Sequence, residues 1–188
     1  MKQVKLARNG YLIMSVVFYI AAALCIIRPE VSPETVCVSS GIILIVYGII
    51  KITGYFSSDL YCLAFQYDLA CGMLLAVLGA IVLLRWEIIQ TILFPGLGVL
   101  ILVDNFLAVQ MSYDAKKFGL DEWAAILMIA ILTSCFAIIL IIKWNPNVLQ
   151  SHFVAGIALF SEGLKNQCVV LYTVKIMRDF QPGDVYDD

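Results

Sequence analysis

Charge is what this 188-residue sequence has least of. Lys, Arg, Asp and Glu make up 14% of it, against 62% hydrophobic residues. Soluble domains are roughly a quarter charged and about half apolar, so water is not the solvent for most of this surface. Histidine is nearly absent, with His152 the only one. That removes the usual zinc set, and any serine nucleophile would have only His152 as its base. There is no glycine-rich phosphate loop, no G-x-S-x-G elbow and no H-E-x-x-H. The expectation is therefore a non-enzymatic protein with no catalytic residues, no cofactor and no metal ligands. A basic cluster is lacking too: net charge is −2, and Tyr113-Asp114-Ala115-Lys116-Lys117 is too short and mixed to bind nucleic acid. The six cysteines include no C-x-x-C pair. Most sit in apolar runs, where a free thiol behaves as a small hydrophobe. Only Cys25 and Cys37, flanking one short loop, could pair, and only if that loop faces an oxidising space.

What is present is a series of long apolar runs, at 10–27, 35–56, 66–84, 88–111, 122–142 and 148–174. A span needs about 20 residues, so the chain accommodates six helices with short connections. Continuous apolar character at this length fits helices that satisfy their own backbone, whereas membrane strands alternate over about 10 residues. Lys2, Lys5 and Arg8 followed by an apolar run resemble a signal peptide, but the run is long enough to span and reads as an uncleaved first helix. Pro95, inside the fourth run, is expected to kink it. The distribution of Lys and Arg sets an orientation. With the N-terminus in the cytoplasm, Lys2, Lys5, Arg8, Lys51, Lys116, Lys117, Lys165, Lys175 and Arg178 lie inside, and Arg28, Arg85 and Lys143 outside. Lys51 and Lys165 must snorkel from helix ends for that count, but the bias survives without them. Trp86, Trp123 and Trp144 fall at the predicted boundaries. The segment 175–188 is an acidic cytoplasmic tail.

Self-similarity organises these runs. Arg28, Arg85 and Lys143 are spaced 57 and 58 apart, and the same offsets relate Ser15, Gly72 and Ala130, then Gly41, Gly98 and Gly156. Seven residues beyond the last set stand Gly48, Asn105 and Gly163. Membrane helices associate by shape, and small residues let backbones approach. Gly41, Gly48, Gly72, Ala76, Gly98, Ala130, Gly156 and Gly163 are accordingly the expected packing positions. The predicted fold is an all-α membrane protein, a single integral domain of six transmembrane helices in three tandem parallel helical-hairpin repeats at 10–56, 67–111 and 123–173.

Ionisable residues within spans are the default place to look for function. Tyr47, Asp104 and Glu162 occupy equivalent repeat positions, each about 15 residues from a helix end, or roughly 22 Å deep at about 1.5 Å per residue. One reading has Asp104, Asn105 and Glu162, with Tyr47 and Lys165, lining a polar cavity that titrates or holds a cation. The other is structural: Glu162 pairs with Lys165, and Asp104 reaches Lys51 or inner-leaflet water. His152 could respond to external pH. Asp68 and the Asp121-Glu122 pair read as helix caps favoured by the dipole.

The glycine-containing segments Gly41–Gly48 and Gly156–Gly163, repeated in three hairpins with Arg or Lys at their turns, resemble the HdeD family of bacterial acid-resistance membrane proteins. The middle copy departs from the pattern with Asp104-Asn105. The Lys and Arg distribution puts both termini in the cytoplasm, and the resemblance implies an inner-membrane protein with a role in acid or envelope stress. It carries no catalytic residues across. The lipid bilayer is the expected surrounding, with copies of the chain or other membrane proteins as partners. A small proton- or solute-conducting transporter and a scaffold subunit of a membrane complex are the alternatives.

Overall fold

The computed structural model describes residues 2–28, 30–56, 67–117, 123–142 and 148–179, with side chains over 7–28, 30–56, 67–117, 123–142 and 151–171. The expectations for Lys143, Trp144 and Asp121-Glu122 lie outside the described residues. Seven helices are described: α1 Lys2–Ile27, α2 Pro33–Tyr55, α3 Asp68–Leu84, α4 Trp86–Ile89, α5 Leu93–Lys117, α6 Trp123–Ile142 and α7 Val148–Asp179. No strand occurs among the described residues. Four segments, Ala7–Ile27, Pro33–Tyr55, Leu93–Lys117 and Trp123–Ile142, are long and apolar enough to cross a membrane, and α3 is a shorter apolar helix. The chain is thus a helical membrane protein.

Local chemistry sets the helix ends. Arg28 precedes Pro29, which disfavours helical geometry at Arg28. α2 restarts with Pro33 in its first turn, and the Ser32 side chain accepts a hydrogen bond from the Thr35 amide at 3.3 Å. Pro95 does not kink a long helix as expected. The fourth run instead divides into one turn, α4, and a helix that begins at Leu93, which puts Pro95 in a first turn where no amide donor is needed. α5 also runs past the expected break at Ser112 to Lys117. Ser112 is buried, and its hydroxyl donates to the Trp123 carbonyl at 2.7 Å, tying the end of α5 to the start of α6.

Polarity is distributed inside out. Large apolar side chains such as Ile13, Val77, Leu84, Phe106, Met128 and Ile142 are exposed, while Lys51, Asp68, Asn105, Thr133, Glu162 and Lys165 are buried. A surface of that kind suits hydrocarbon.

The densest packing joins α2 to α3, α5 to α6 and α7 to α1. These pairs link one expected hairpin to the next and close the chain on itself. Small residues make each seam. A Cβ added at Gly41 would lie 3.1 Å from the Gly79 carbonyl oxygen, one at Gly98 would lie 3.1 Å from that of Ala137, and one at Gly156 would lie 3.0 Å from that of Ala22. Further along, a Cβ on Gly48 would meet the Gly72 oxygen at 2.6 Å and the Ala76 amide at 2.8 Å, and one on Gly163 would meet the Ser15 oxygen at 3.1 Å. Asn105 and Ala130 hold the corresponding positions of the α5–α6 seam, both fully buried. Cys25 and Cys37 are separate free thiols, so the pairing considered from sequence is not formed.

Candidate functional site

Five helices bring polar side chains to one place inside the bundle. Tyr11 comes from α1, Tyr47 and Lys51 from α2, Asp68 from α3, Asp104 and Asn105 from α5, and Glu162, Lys165 and Asn166 from α7. Their charged members form an alternating chain. Lys51 Nζ lies 3.0 Å from Asp68 Oδ1 and 2.9 Å from Asp104 Oδ1. Lys165 pairs with Asp104 Oδ2 and reaches Glu162 Oε1 at 2.6 Å. The order is therefore Asp68, Lys51, Asp104, Lys165, Glu162, with three carboxylates sharing two ammonium groups.

Neutral groups finish the chain at its ends. The Tyr11 hydroxyl donates to Asp68 Oδ2. At the far end Asn105 Nδ2 donates to Glu162 Oε2 at 3.4 Å and to the Ile101 carbonyl at 2.7 Å. Asn105 Oδ1 is buried and has no hydrogen-bond partner among the described residues. Tyr47 and Asn166 are linked through the tyrosine hydroxyl, with Asn166 Nδ2 at 2.9 Å. The Tyr47 ring stands 5.0 Å from Lys51 Nζ, within reach of cation–π attraction. Relative exposure is 2% at Lys165 and 5% at Lys51, whereas the Asp104 side chain keeps 17%. Asp104, in the middle of the chain, is the most open of these three.

Cavities lie on both sides. One of about 50 Å³ is lined mainly by apolar side chains, with Tyr47, Asp104 and Glu162 at its polar edge. Another of about 50 Å³ borders Tyr11, Lys51, Asp68, Asp104 and Lys165. Asp104 is common to both. A third, of about 410 Å³, opens toward Arg28 and shares Phe18, Leu44, Leu97 and Leu159 with the first. Among the described residues no group of three His, Cys, Asp or Glu side chains is disposed to hold a metal ion.

The five residues singled out from sequence, Tyr47, Asp104, Asn105, Glu162 and Lys165, are brought together. Both ion pairs of the structural reading, Glu162 with Lys165 and Asp104 with Lys51, are formed, and Asp104 and Glu162 also border a cavity. Two assignments change. Lys51 and Lys165 do not snorkel to an interface; each is held inward by two carboxylates. Asp68 is not simply a dipole-favoured first-turn residue, because its carboxylate faces Lys51 and Tyr11. Tyr11, Lys51, Asp68 and Asn166 were missed as site residues. A signal existed: Tyr11 and Asp68 are 57 apart, and Lys51 and Asn166 fall on the same repeat register through Ala108. His152 lies apart from the chain, buried edge-on against Phe94 with ring centroids 4.8 Å apart.

Comparison with known proteins adds one observation. Residues 13–85 match a family model described as a short repeat of unknown function (DUF308). That segment covers less than half of the chain, and it contains Gly41, Gly48, Gly72 and Gly79 of the α2–α3 seam. No curated protein and no solved structure matches the chain.

Proposed function

We propose that this chain is a non-enzymatic, six-span inner-membrane protein of the HdeD type, with both termini cytoplasmic, that serves acid or envelope stress. Its working centre in this reading is the ionic chain from Asp68 to Glu162. The observation that carries it is that chain's composition and position. Withdrawing ions from water costs several kcal/mol each even after relaxation, and apolar residues of similar size would pack the same space without that cost. Because three carboxylates share two ammonium groups, the chain can take up one more positive charge without losing a cation. A proton is the smallest such charge, and acid supplies it. The excess of Lys and Arg at one end supports the orientation, and the offsets shared by the glycine seams support three parallel repeats.

A second reading is a small proton- or solute-conducting transporter, favoured by the cavities on either side of Asp104. Purified protein in liposomes separates the two: a conductor dissipates an imposed pH gradient, and the stress protein does not. A scaffold subunit would instead co-purify with partners after mild detergent extraction. For the primary reading, Asp104→Asn with Glu162→Gln is expected to abolish protection during an acid pulse at unchanged membrane abundance. Full protection by that variant would refute it.

A further inference from the structure

The seam between α1 and α2 differs from the three glycine seams. The two helices meet at one end, where a Cβ on Gly10 would touch Ile50 at 3.0 Å, and where Phe18 packs edge-on to Tyr47 at 5.2 Å. Toward Arg28 the space between them is a cavity of about 410 Å³. Small-molecule sites occupy about 300–1,000 Å³.

We propose that this cavity binds a single-chain amphiphile with a carboxylate head, of the fatty-acid class, independently of the ionic chain. Its depth is apolar, floored by Phe18, Leu44, Leu97 and Leu159, with the exposed Ile20 and Leu24 along its open side, and suits a hydrocarbon chain. Its rim carries Arg28 with the hydroxyl residues Thr35, Ser39 and Ser40. Arg28 is the one permanently charged residue of the lining, and its side chain makes no ion pair with any described residue. A guanidinium offers paired donors that match a carboxylate. One cation at the rim and one apolar groove between α1 and α2 fit one head and one tail. A bilayer phospholipid would leave its second chain outside.

Cys25 lines the same cavity and is half-buried, which makes it a reporter. The test measures maleimide labelling at Cys25 by peptide-resolved mass spectrometry, on the full chain in an uncharged maltoside detergent. Probes are dodecanoate, dodecanol, dodecylamine and a phosphatidylglycerol. Dodecanoate should slow labelling at concentrations about tenfold below those needed for dodecanol, and dodecylamine should be weaker still. Arg28→Gln should remove that preference and Arg28→Lys restore part of it. Ala21→Phe, which fills the wall, should make labelling independent of dodecanoate. Equal protection by all three head groups, protection by phosphatidylglycerol as strong as by dodecanoate, an unchanged preference in Arg28→Gln, or no protection in wild type would each overturn the proposal. The head-group series uses the unaltered protein, so it decides even if a variant fails to fold.

Discussion

The two halves of the bundle solve opposite problems. Toward Arg28, α1 and α2 diverge around a large apolar space that no described side chain fills. Toward Lys51 the same helices converge on five buried or half-buried charges, bordered by two cavities of about 50 Å³ each. The glycine seams along α2–α3 and α7–α1 serve both halves, so helix spacing at those seams does not explain the contrast. Side-chain chemistry at the α1–α2 seam does. Tyr11, Tyr47 and Lys51 reach across it at one end, while Ala21, Ser39 and Ser40 are too short to do so at the other.

Substitutions should separate the halves sharply. The largest effect is expected from Lys165→Met, which leaves Asp104 and Glu162 facing each other with only Lys51 nearby. Removing one partner of a buried pair costs about 3–5 kcal/mol, measurable as a lowered unfolding midpoint in detergent. Gly48→Ala comes next. The atoms it would strike are the Gly72 oxygen and Ala76 amide, both backbone, so α2 and α3 must separate at a cost of about 1–3 kcal/mol. Asp68→Asn should cost less, about 1–2 kcal/mol by the same unfolding assay, because Lys51 keeps Asp104 and Tyr11 keeps an oxygen acceptor. Smallest is Ala21→Phe in the open half, where the cavity accepts the ring and the change should stay within about 0.5 kcal/mol. If Ala21→Phe destabilised the protein as much as Lys165→Met, the contrast between the halves would be false.

Much of this architecture was legible in the sequence, for physical reasons that also mark where reading stopped. Apolar run length locates helices because backbone groups in hydrocarbon must bond within their own segment. α6, expected at 122–142 and found at Trp123–Ile142, is an example. Repeat offsets located the glycines, since close approach demands a missing side chain, but a glycine does not name the helix that approaches it. The hairpin expectation joined α1 to α2, whereas Gly156 and Gly163 pack α7 onto α1. Lys51 was read as a snorkelling residue from its distance to a helix end. Its inward direction depends on Asp68 and Asp104, which belong to other helices. Asn105 stood out as a departure from glycine, and the structure places its amide against Glu162. Pro95 illustrates the opposite limit, since a proline starts a helix as readily as it bends one.

The ionic chain is either a fastening or a working part, and replacing it whole tells which. A variant carrying Lys51→Met, Asp68→Asn, Asp104→Asn, Glu162→Gln and Lys165→Met removes every charge of the chain together and leaves no stranded ion. Exchanging a buried ionic group for well-packed hydrophobic side chains of similar volume is often neutral or stabilising, and the Asn and Gln amides can bond to one another in place of the lost ion pairs. The decisive measurement is survival of an acid pulse by cells carrying this variant at wild-type membrane abundance. Protection lost from a stably folded variant is the result expected of a working centre; protection retained in full would contradict it and leave the charges as fastenings.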